Sequence, residues 1–331
     1  MNRRSPGFLL VSQAGEGFLQ YKTAEGLSPR TLSRYRDFLR IWLKHAGDVP
    51  LNQITTDTLR EFLIWLRTDY KPYRITGTDR ALSNKTIRNI YMFLSSFYTW
   101  AGRELNLPNP LKGVPAPKFE QVPVEPFTKE EVEALLKACT FSRAAHTLLR
   151  RTYTMRRVNV HRDQALILVL LDTGLRASEL CALKIGHVDM QSGKTTVKAG
   201  RDGGAKGGKG RTVFLGKTAR RALWRYLVDR ADGKDADAPL FTDRYDHPLN
   251  KNSLRLAIAR LGKNAGVKHC HPHRFRHTFA ITYLRSGGDV FTLQSLLGHS
   301  TLDMVQHYAR IAEIDVEQAH KRASPADNWR L

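Results

Sequence analysis

The chain has 331 residues, 41% hydrophobic and 25% charged, with a formal net charge of +22. It is long enough for two domains and too apolar to be disordered, and its excess of lysine and arginine points to a polyanion, nucleic acid foremost. A membrane span is excluded because no stretch approaches about eighteen uncharged apolar residues, and a secretory signal because MNRRSPGFLLVSQAGEGF holds only a four-residue apolar cluster.

About a dozen residues precede the first helix pattern. From Ser28 to Ala46, Leu32, Tyr35, Leu39, Trp42 and Leu43 fall on one face at helical spacing, with Arg30, Arg34 and Lys44 opposite. A second helix is expected over Thr55 to Thr68. A third, Ser83 to Ala101, turns Ile87, Ile90, Tyr91, Leu94, Phe97 and Tyr98 inward, with Lys85, Arg88 and Asn89 outward near its start. A helix start with this composition suits phosphate or groove contact, and a solvated polar face is the equal alternative. We assign Arg30, Arg34, Lys85 and Arg88 to DNA contact. Pro108, Pro110, Pro115, Pro117, Pro123 and Pro126 then prevent a helix and favour an extended connector. A new element starts at once. Thr128 and Glu131 form a capping box, with Phe127 and Val132 placed as a hydrophobic staple. The expected domains are a helical one over 1–118, a linker over 119–126 and a second domain over 127–331. Residues 1–118 carry 18 basic and 9 acidic side chains, and the remainder 35 and 22, so both parts are basic.

The second part reads as mixed. Residues 141–162 hold six arginines and no acids, suited to DNA backbone contact or to a solvated loop. Asp163 to Leu171 is expected as a buried helix, broken by Gly174 and restarted over Ala177 to Leu183. Thr195 to Lys198 and Arg211 to Leu215 alternate like strands around AGRDGGAKGGKG, a hairpin whose tip is too glycine-rich to be rigid. Helices follow at roughly 216–231, 250–266, 272–286, 289–297 and 301–309. The fold class is mainly α with a small β-sheet. Cys139, Cys181 and Cys270 are widely spaced and odd in number, which suits neither a disulfide framework nor a CxxC metal site and reads as a reducing, cytoplasmic protein.

Several groups of the second part gather into one device. Arg176 sits in TGLRASEL, Lys206 and Lys209 on the hairpin, His271, His273, Arg274, Arg276 and His277 in HPHRFRH, His299 in LLGHS and Tyr308 nine residues later. Each alone has an ordinary structural explanation. The histidines lack thiolate or carboxylate partners, and flanking arginines repel a cation, so no metal site is expected. Together, two arginines offer planar forks to a phosphate's non-bridging oxygens. A lysine can protonate a leaving alkoxide, a histidine can take a proton, and a tyrosine can attack phosphorus. No acidic triad stands beside them for Mg²⁺, and no G-x-x-x-x-G-K-[ST] segment exists for ATP. The set describes phosphoryl transfer through a covalent phosphotyrosine, without metal or cofactor.

TGLR-x-SEL at Thr173 to Leu180, K-G-G-K-G-R-x-V at Lys206 to Val213, H-x-[FL]-R-H-T-F-A at His273 to Ala280, LLGH at Leu296 to His299, and Tyr308 nine positions beyond, in this order, resemble the tyrosine recombinases, or phage integrase family. More loosely, the N-terminal part resembles the family's helical core-binding domain. The resemblance implies that Arg176 and Arg276 bind the scissile phosphate and that His273 serves as general base and phosphate ligand. It further implies that His299 hydrogen-bonds the phosphate, that Tyr308 is the nucleophile, and that Lys206 is the general acid on the 5′ oxygen. Glu179 would support Arg176. Lys209 competes with Lys206 for the acid's place and is otherwise a DNA contact. A second H-x-x-R, His271 to Arg274, lies in the same segment, but the HTFA that follows sets the register on His273 and Arg276.

The implied protein is a site-specific recombinase of double-stranded DNA. It would pass through a 3′-phosphotyrosyl link and a Holliday junction as a homo-tetramer, with a C-terminal tail packed on a neighbouring subunit. The short segment before the first helix leaves no room for an arm-binding domain, so a Xer-like two-domain member is expected. Type IB topoisomerase chemistry and a catalytically silent DNA-binding regulator are the alternatives.

Overall fold

The computed structural model describes residues 9–73, 80–119, 124–141, 145–147, 150–200 and 210–298, with 308, 324 and 326. The chain divides into two compact units, Met1–Val122 and Pro123–Leu331.

The first unit is helical: α1 Val11–Ala24, α2 Pro29–Ala46, α3 Thr56–Thr68 and α4 Asn84–Glu104. Their starts are written in the sequence. Ser28, Thr55 and Ser83 each accept a backbone N–H three residues on, at 3.3, 3.2 and 3.2 Å, and Pro29 opens α2 where its missing donor costs nothing. Phe18, Trp42, Phe62, Phe93 and Phe97 are fully buried in its core. Each large apolar side chain removed from water contributes roughly 1.5–3 kcal/mol. Gly15 lets α1 approach α2, since a Cβ there would collide with Leu39. The buried face of α2 is Leu32, Phe38, Leu39 and Trp42, while Tyr35 and Leu43 are half-buried. Arg30, Arg34 and Lys85 are exposed. Arg88 is engaged inside the unit: Nη1 donates to the Pro117 carbonyl at 3.0 Å, and the guanidinium lies over the Phe119 ring.

The second unit holds α5 Lys129–Thr140, β1 Ala145–Thr147, β2 Arg150–Tyr153, α6 Val160–Thr173, α7 Ala177–Cys181, β3 Lys194–Val197, β4 Arg211–Phe214, α8 Lys217–Val228, α9 Lys251–Ala265, α10 Pro272–Arg285 and α11 Val290–Leu297. Among the described residues its strands form two antiparallel pairs, β1–β2 and β3–β4, the latter in register from Lys194 opposite Phe214 to Val197 opposite Arg211. The helix α6 is the core, with Ala165, Leu166, Ile167, Val169 and Leu170 at 0–1% exposure. The capping box of α5 is present in both directions, Thr128 Oγ1 accepting from Glu131 N at 3.2 Å and Glu131 Oε2 from Thr128 N at 3.1 Å.

The β1–β2 pair stands where the sequence reads as a basic loop. Its strands have three and four residues, too short for alternation to show. Two of the six arginines there turn inward. Asp163 is 1% exposed and accepts from Arg157 Nη2 at 2.8 Å and Arg162 Nη2 at 2.9 Å. A buried carboxylate needs such pairing, so these two side chains anchor α6 instead of reaching for a backbone phosphate. The expected hairpin tip with Lys206 and Lys209, and most of the expected helix 301–309, lie outside the described residues. No described helix is long and apolar enough to cross a membrane.

Candidate active site

Three local breaks in the chain bring the site together. The first is Gly174, which ends α6 in the left-handed conformation (φ 59°) with Phe279 packed where a Cβ would stand. Arg176 follows as the extended N-cap of α7. Next, His271 Nδ1 accepts from Arg274 N at 3.2 Å and starts α10 ahead of Pro272. The third is Gly298, which ends α11 in the left-handed conformation (φ 63°).

Glu179 is the centre of the arrangement. It is fully buried and accepts from both ends of the Arg211 fork, Nη1 to Oε1 and Nη2 to Oε2, at 2.8 Å each. It also accepts from Arg176 N at 2.8 Å and Arg176 Nη1 at 2.9 Å. Burial pushes its carboxyl upward, but the Arg211 hydrogen bonds and charge, then those of Arg176, outweigh it and the net shift is downward.

Three guanidiniums also converge on the last carbonyls of α11. Arg211 Nε donates to Leu296 O at 2.6 Å and Arg276 Nη2 to Leu297 O at 2.7 Å. Arg176 reaches Leu297 O at 3.3 Å and Gly298 O at 3.4 Å. These carbonyls have no partner within the helix and lie at its negative end, so cations fit there. Arg276 is 1% exposed and gives its Nη1 to Gly174 O at 2.9 Å. Burial first, and the charge of Arg176 next, bring its guanidinium down to about 10. Three cations against one carboxylate leave a surplus of positive charge among largely buried side chains. Such a cluster favours an anion with several oxygens.

Tyr308 is 4% exposed and packs with Ala280, Ile281, Leu284, Leu293 and Leu297. Burial raises its hydroxyl pKa, while charge and a hydrogen bond from Arg276 and charge from Arg176 pull the other way. The His277 ring stands 5.2 Å from the Tyr308 ring, and the His273 ring 4.5 Å from that of His277, both edge to face.

The structure therefore brings Arg176, Glu179, Arg276 and Tyr308 together, with exposed His273 adjoining through His277. Lys206, Lys209 and His299 lie outside the described residues. Arg30, Arg34, Lys85 and Arg88 belong to the first unit and are not part of this cluster. One residue of the cluster, Arg211, is not singled out from the sequence, although it stands inside K-G-G-K-G-R-x-V. His277 is named there with the other groups of HPHRFRH but carries no assigned role. The second H-x-x-R separates from the site by geometry. Arg274 points to the segment before α5, with Nε to Glu125 O at 3.0 Å, Nη1 to Lys268 O at 2.8 Å and Nη2 to Glu131 Oε2 at 2.7 Å. Its guanidinium also lies 4.0 Å from the Phe127 ring centroid.

Residues 126–314 match the phage integrase family, and residues 16–106 match the phage integrase N-terminal SAM-like domain. The chain is 31% identical to a tyrosine recombinase XerC of Pelobacter propionicus, covering 96% of each. It is 28% identical to a tyrosine recombinase XerA of Thermococcus kodakarensis, covering 93% of this chain and 94% of the relative. In fold it is similar to a Tn1549 transposon integrase in complex with a circular intermediate DNA, with a TM-score of 0.68, 22% identity, and 91% and 95% of the two chains covered. A lambda integrase dimer bound to a COC′ core site gives a TM-score of 0.68 at 18% identity, over 92% and 78% of the two chains. With its catalytic part and its N-terminal part both matched, the chain belongs to the phage integrase family of tyrosine recombinases.

Proposed function

We propose that this chain recombines double-stranded DNA at specific sites, with residues 1–118 as core-binding domain and 127–331 as catalytic domain. The carrying observation is the cationic cluster of Arg176, Glu179, Arg211 and Arg276 beside Tyr308, with Glu179 and Arg276 buried and Arg176 partly exposed. Arg176 and Arg276 bind the non-bridging oxygens of the scissile phosphate. The Tyr308 oxygen attacks phosphorus, its proton passing to His273, and the 5′ oxygen leaves with a proton from Lys206. His299 hydrogen-bonds the phosphate. Because burial raises the hydroxyl pKa of Tyr308, its proton must be taken by a local base as the bond to phosphorus forms. The phosphotyrosyl bond keeps the energy of the broken phosphodiester, and a 5′ hydroxyl of a partner duplex reverses the step on the new strand. Two rounds of exchange pass through a Holliday junction in a homo-tetramer, with the tail beyond Tyr308 packed on a neighbouring subunit. Arg30, Arg34, Lys85 and Lys209 contribute DNA contacts, and Arg88 does so only through the N–H groups that the Pro117 carbonyl leaves to it.

The test is covalent capture on a nicked duplex whose 5′ end diffuses away after cleavage. The unmodified protein should form a covalent adduct. Tyr308→Phe, which keeps the ring and its packing, should bind the site normally and form none. An adduct with Tyr308→Phe would reject Tyr308 as nucleophile.

A further inference from the structure

Arg211 opens β4, and its side chain is 9% exposed. Three of the five N–H groups of a guanidinium are committed here to protein, two to the carboxylate of Glu179 and one to Leu296 O. Arg211 is thus turned to its own chain and is no phosphate ligand itself. Arg176 differs. Its side chain is 27% exposed, it has a single 2.9 Å side-chain bond to Glu179, and its bonds to Leu297 O and Gly298 O are long, at 3.3 and 3.4 Å. The carboxylate has about four lone-pair sites, and Arg211 takes the two that form a bidentate fork. Without Arg211, a fully buried carboxylate would keep one guanidinium hydrogen-bonded to it, that of Arg176, with Arg276 acting only through its charge. The attraction would draw the Arg176 fork inward, away from the side open to a ligand.

We infer that Arg211 is a positioning residue for strand cleavage: by neutralising Glu179 it leaves Arg176 an edge to present to the scissile phosphate, and by holding Leu296 O it fixes the turn at Gly298. This rests on the assignment of Arg176 to the non-bridging oxygens. A positioned donor to developing charge contributes about 10²–10³ in rate, so displacing Arg176 without deleting it should slow cleavage by about 10–100-fold.

The experiment compares single-turnover adduct formation on two nicked duplexes. One carries the ordinary scissile phosphate. In the other a methyl group replaces one non-bridging oxygen, which removes the negative charge. Arg211→Ala should slow the first reaction about 10–100-fold, and its deficit relative to the unmodified protein should shrink on the methylphosphonate. Site binding should be unchanged. Arg211→Lys keeps the charge but not the fork; it should show the same pattern at smaller size, and it serves as the reading should the alanine variant not fold. An equal deficit on both substrates, accompanied by a lower melting temperature, would show that Arg211 only supports the fold. No deficit at all would also overturn the inference. Arg176→Ala is run alongside. If its deficit shrinks on the methylphosphonate and that of Arg211→Ala does not, this inference alone fails. If that of Arg176→Ala does not shrink, the assignment of Arg176 fails and takes the inference with it.

Discussion

Gly298 and Arg211 are in contact: a Cβ built on Gly298 would stand 3.1 Å from Arg211 Cδ and 3.2 Å from its Nη1. Gly298 also has φ +63°, where any other residue except asparagine or aspartate is strained by about 1–3 kcal/mol. Backbone strain and crowding can be told apart, because Gly266 ends α9 at φ +72° with nothing within 4 Å of its would-be Cβ. Gly266→Ala should lower stability by about 1 kcal/mol and leave covalent adduct formation unchanged. Gly298→Ala should lower stability by at least as much and also displace the Arg211 fork, reducing adduct formation. Thermal melting and the nicked-duplex assay read the two effects. Equal activity in both variants would mean the contact does not matter to the site.

The helical parts were legible because amphipathic spacing and caps agree locally. Ser28, Thr55, Ser83 and Thr128 mark starts, and Gly174 marks a stop, and each acts within a few residues of its partner. In the site, Arg176, Arg276 and Tyr308 were legible because they carry recurrent motifs. Arg211 was not, because its partners Glu179 and Leu296 lie 32 and 85 residues away along the chain. No period or composition reports a contact of that range. The inward turn of Arg157 and Arg162 was hidden for another reason. An arginine run looks the same in sequence whether it faces solvent or a single buried Asp163. Arg88 likewise reads as one more cation on a polar face, although the Pro117 carbonyl holds it.

Arg274 and Arg276 are two residues apart and point to different work. Arg274 ties α10 to Glu125, Pro126 and Glu131 and covers Phe127. Its removal leaves the Glu131 carboxylate without its counter-charge, held among the described residues only by the Thr128 N–H, and several carbonyls without this donor, and should cost about 3 kcal/mol. Arg276 faces Gly174 O, Leu297 O and Tyr308. We expect Arg274→Ala to melt at clearly lower temperature yet form adduct at near-normal rate while folded. Arg276→Ala should lose adduct formation at a temperature where it is still folded. The reverse pattern would place the working H-x-x-R at His271 and Arg274.

The depressed pKa of Glu179 makes a pH-dependent contribution to stability. In the unfolded chain its carboxyl takes up a proton near the ordinary value of 4.5, whereas in the fold Arg211 and Arg176 keep it ionised to lower pH. The unfolded state therefore binds more protons as pH falls below about 4.5, and stability drops through that window. Glu179→Gln removes this dependence. The gap in melting temperature between the unmodified protein and Glu179→Gln should be widest near neutral pH and should narrow as the pH is lowered through 4.5. Other acidic groups with depressed pKa values, such as Asp189, are common to both proteins and cancel. A gap that stays constant from pH 7 to 3 would mean that the Glu179 charge is not what holds the arginines.

The role assigned to Lys206 is separable from that of the arginines by the chemistry of the leaving group. Expelling a 5′ alkoxide is slow because the alkoxide is strongly basic, and a positioned acid contributes about 10²–10⁴-fold. Lys206→Ala should therefore bind its site and cleave slowly. Replacing the bridging 5′ oxygen with sulfur changes the demand, since a thiol has a pKa of about 8.5 and its thiolate departs without a proton. On that substrate Lys206→Ala should recover towards the unmodified rate. Arg176→Ala should not recover, because what it lacks is charge stabilisation on the non-bridging oxygens, which the sulfur leaves in place. Rescue of Lys209→Ala in place of Lys206→Ala would move the acid one lysine along the hairpin. Rescue of neither would mean that both lysines only hold DNA, and that the proton reaches the 5′ oxygen from another group.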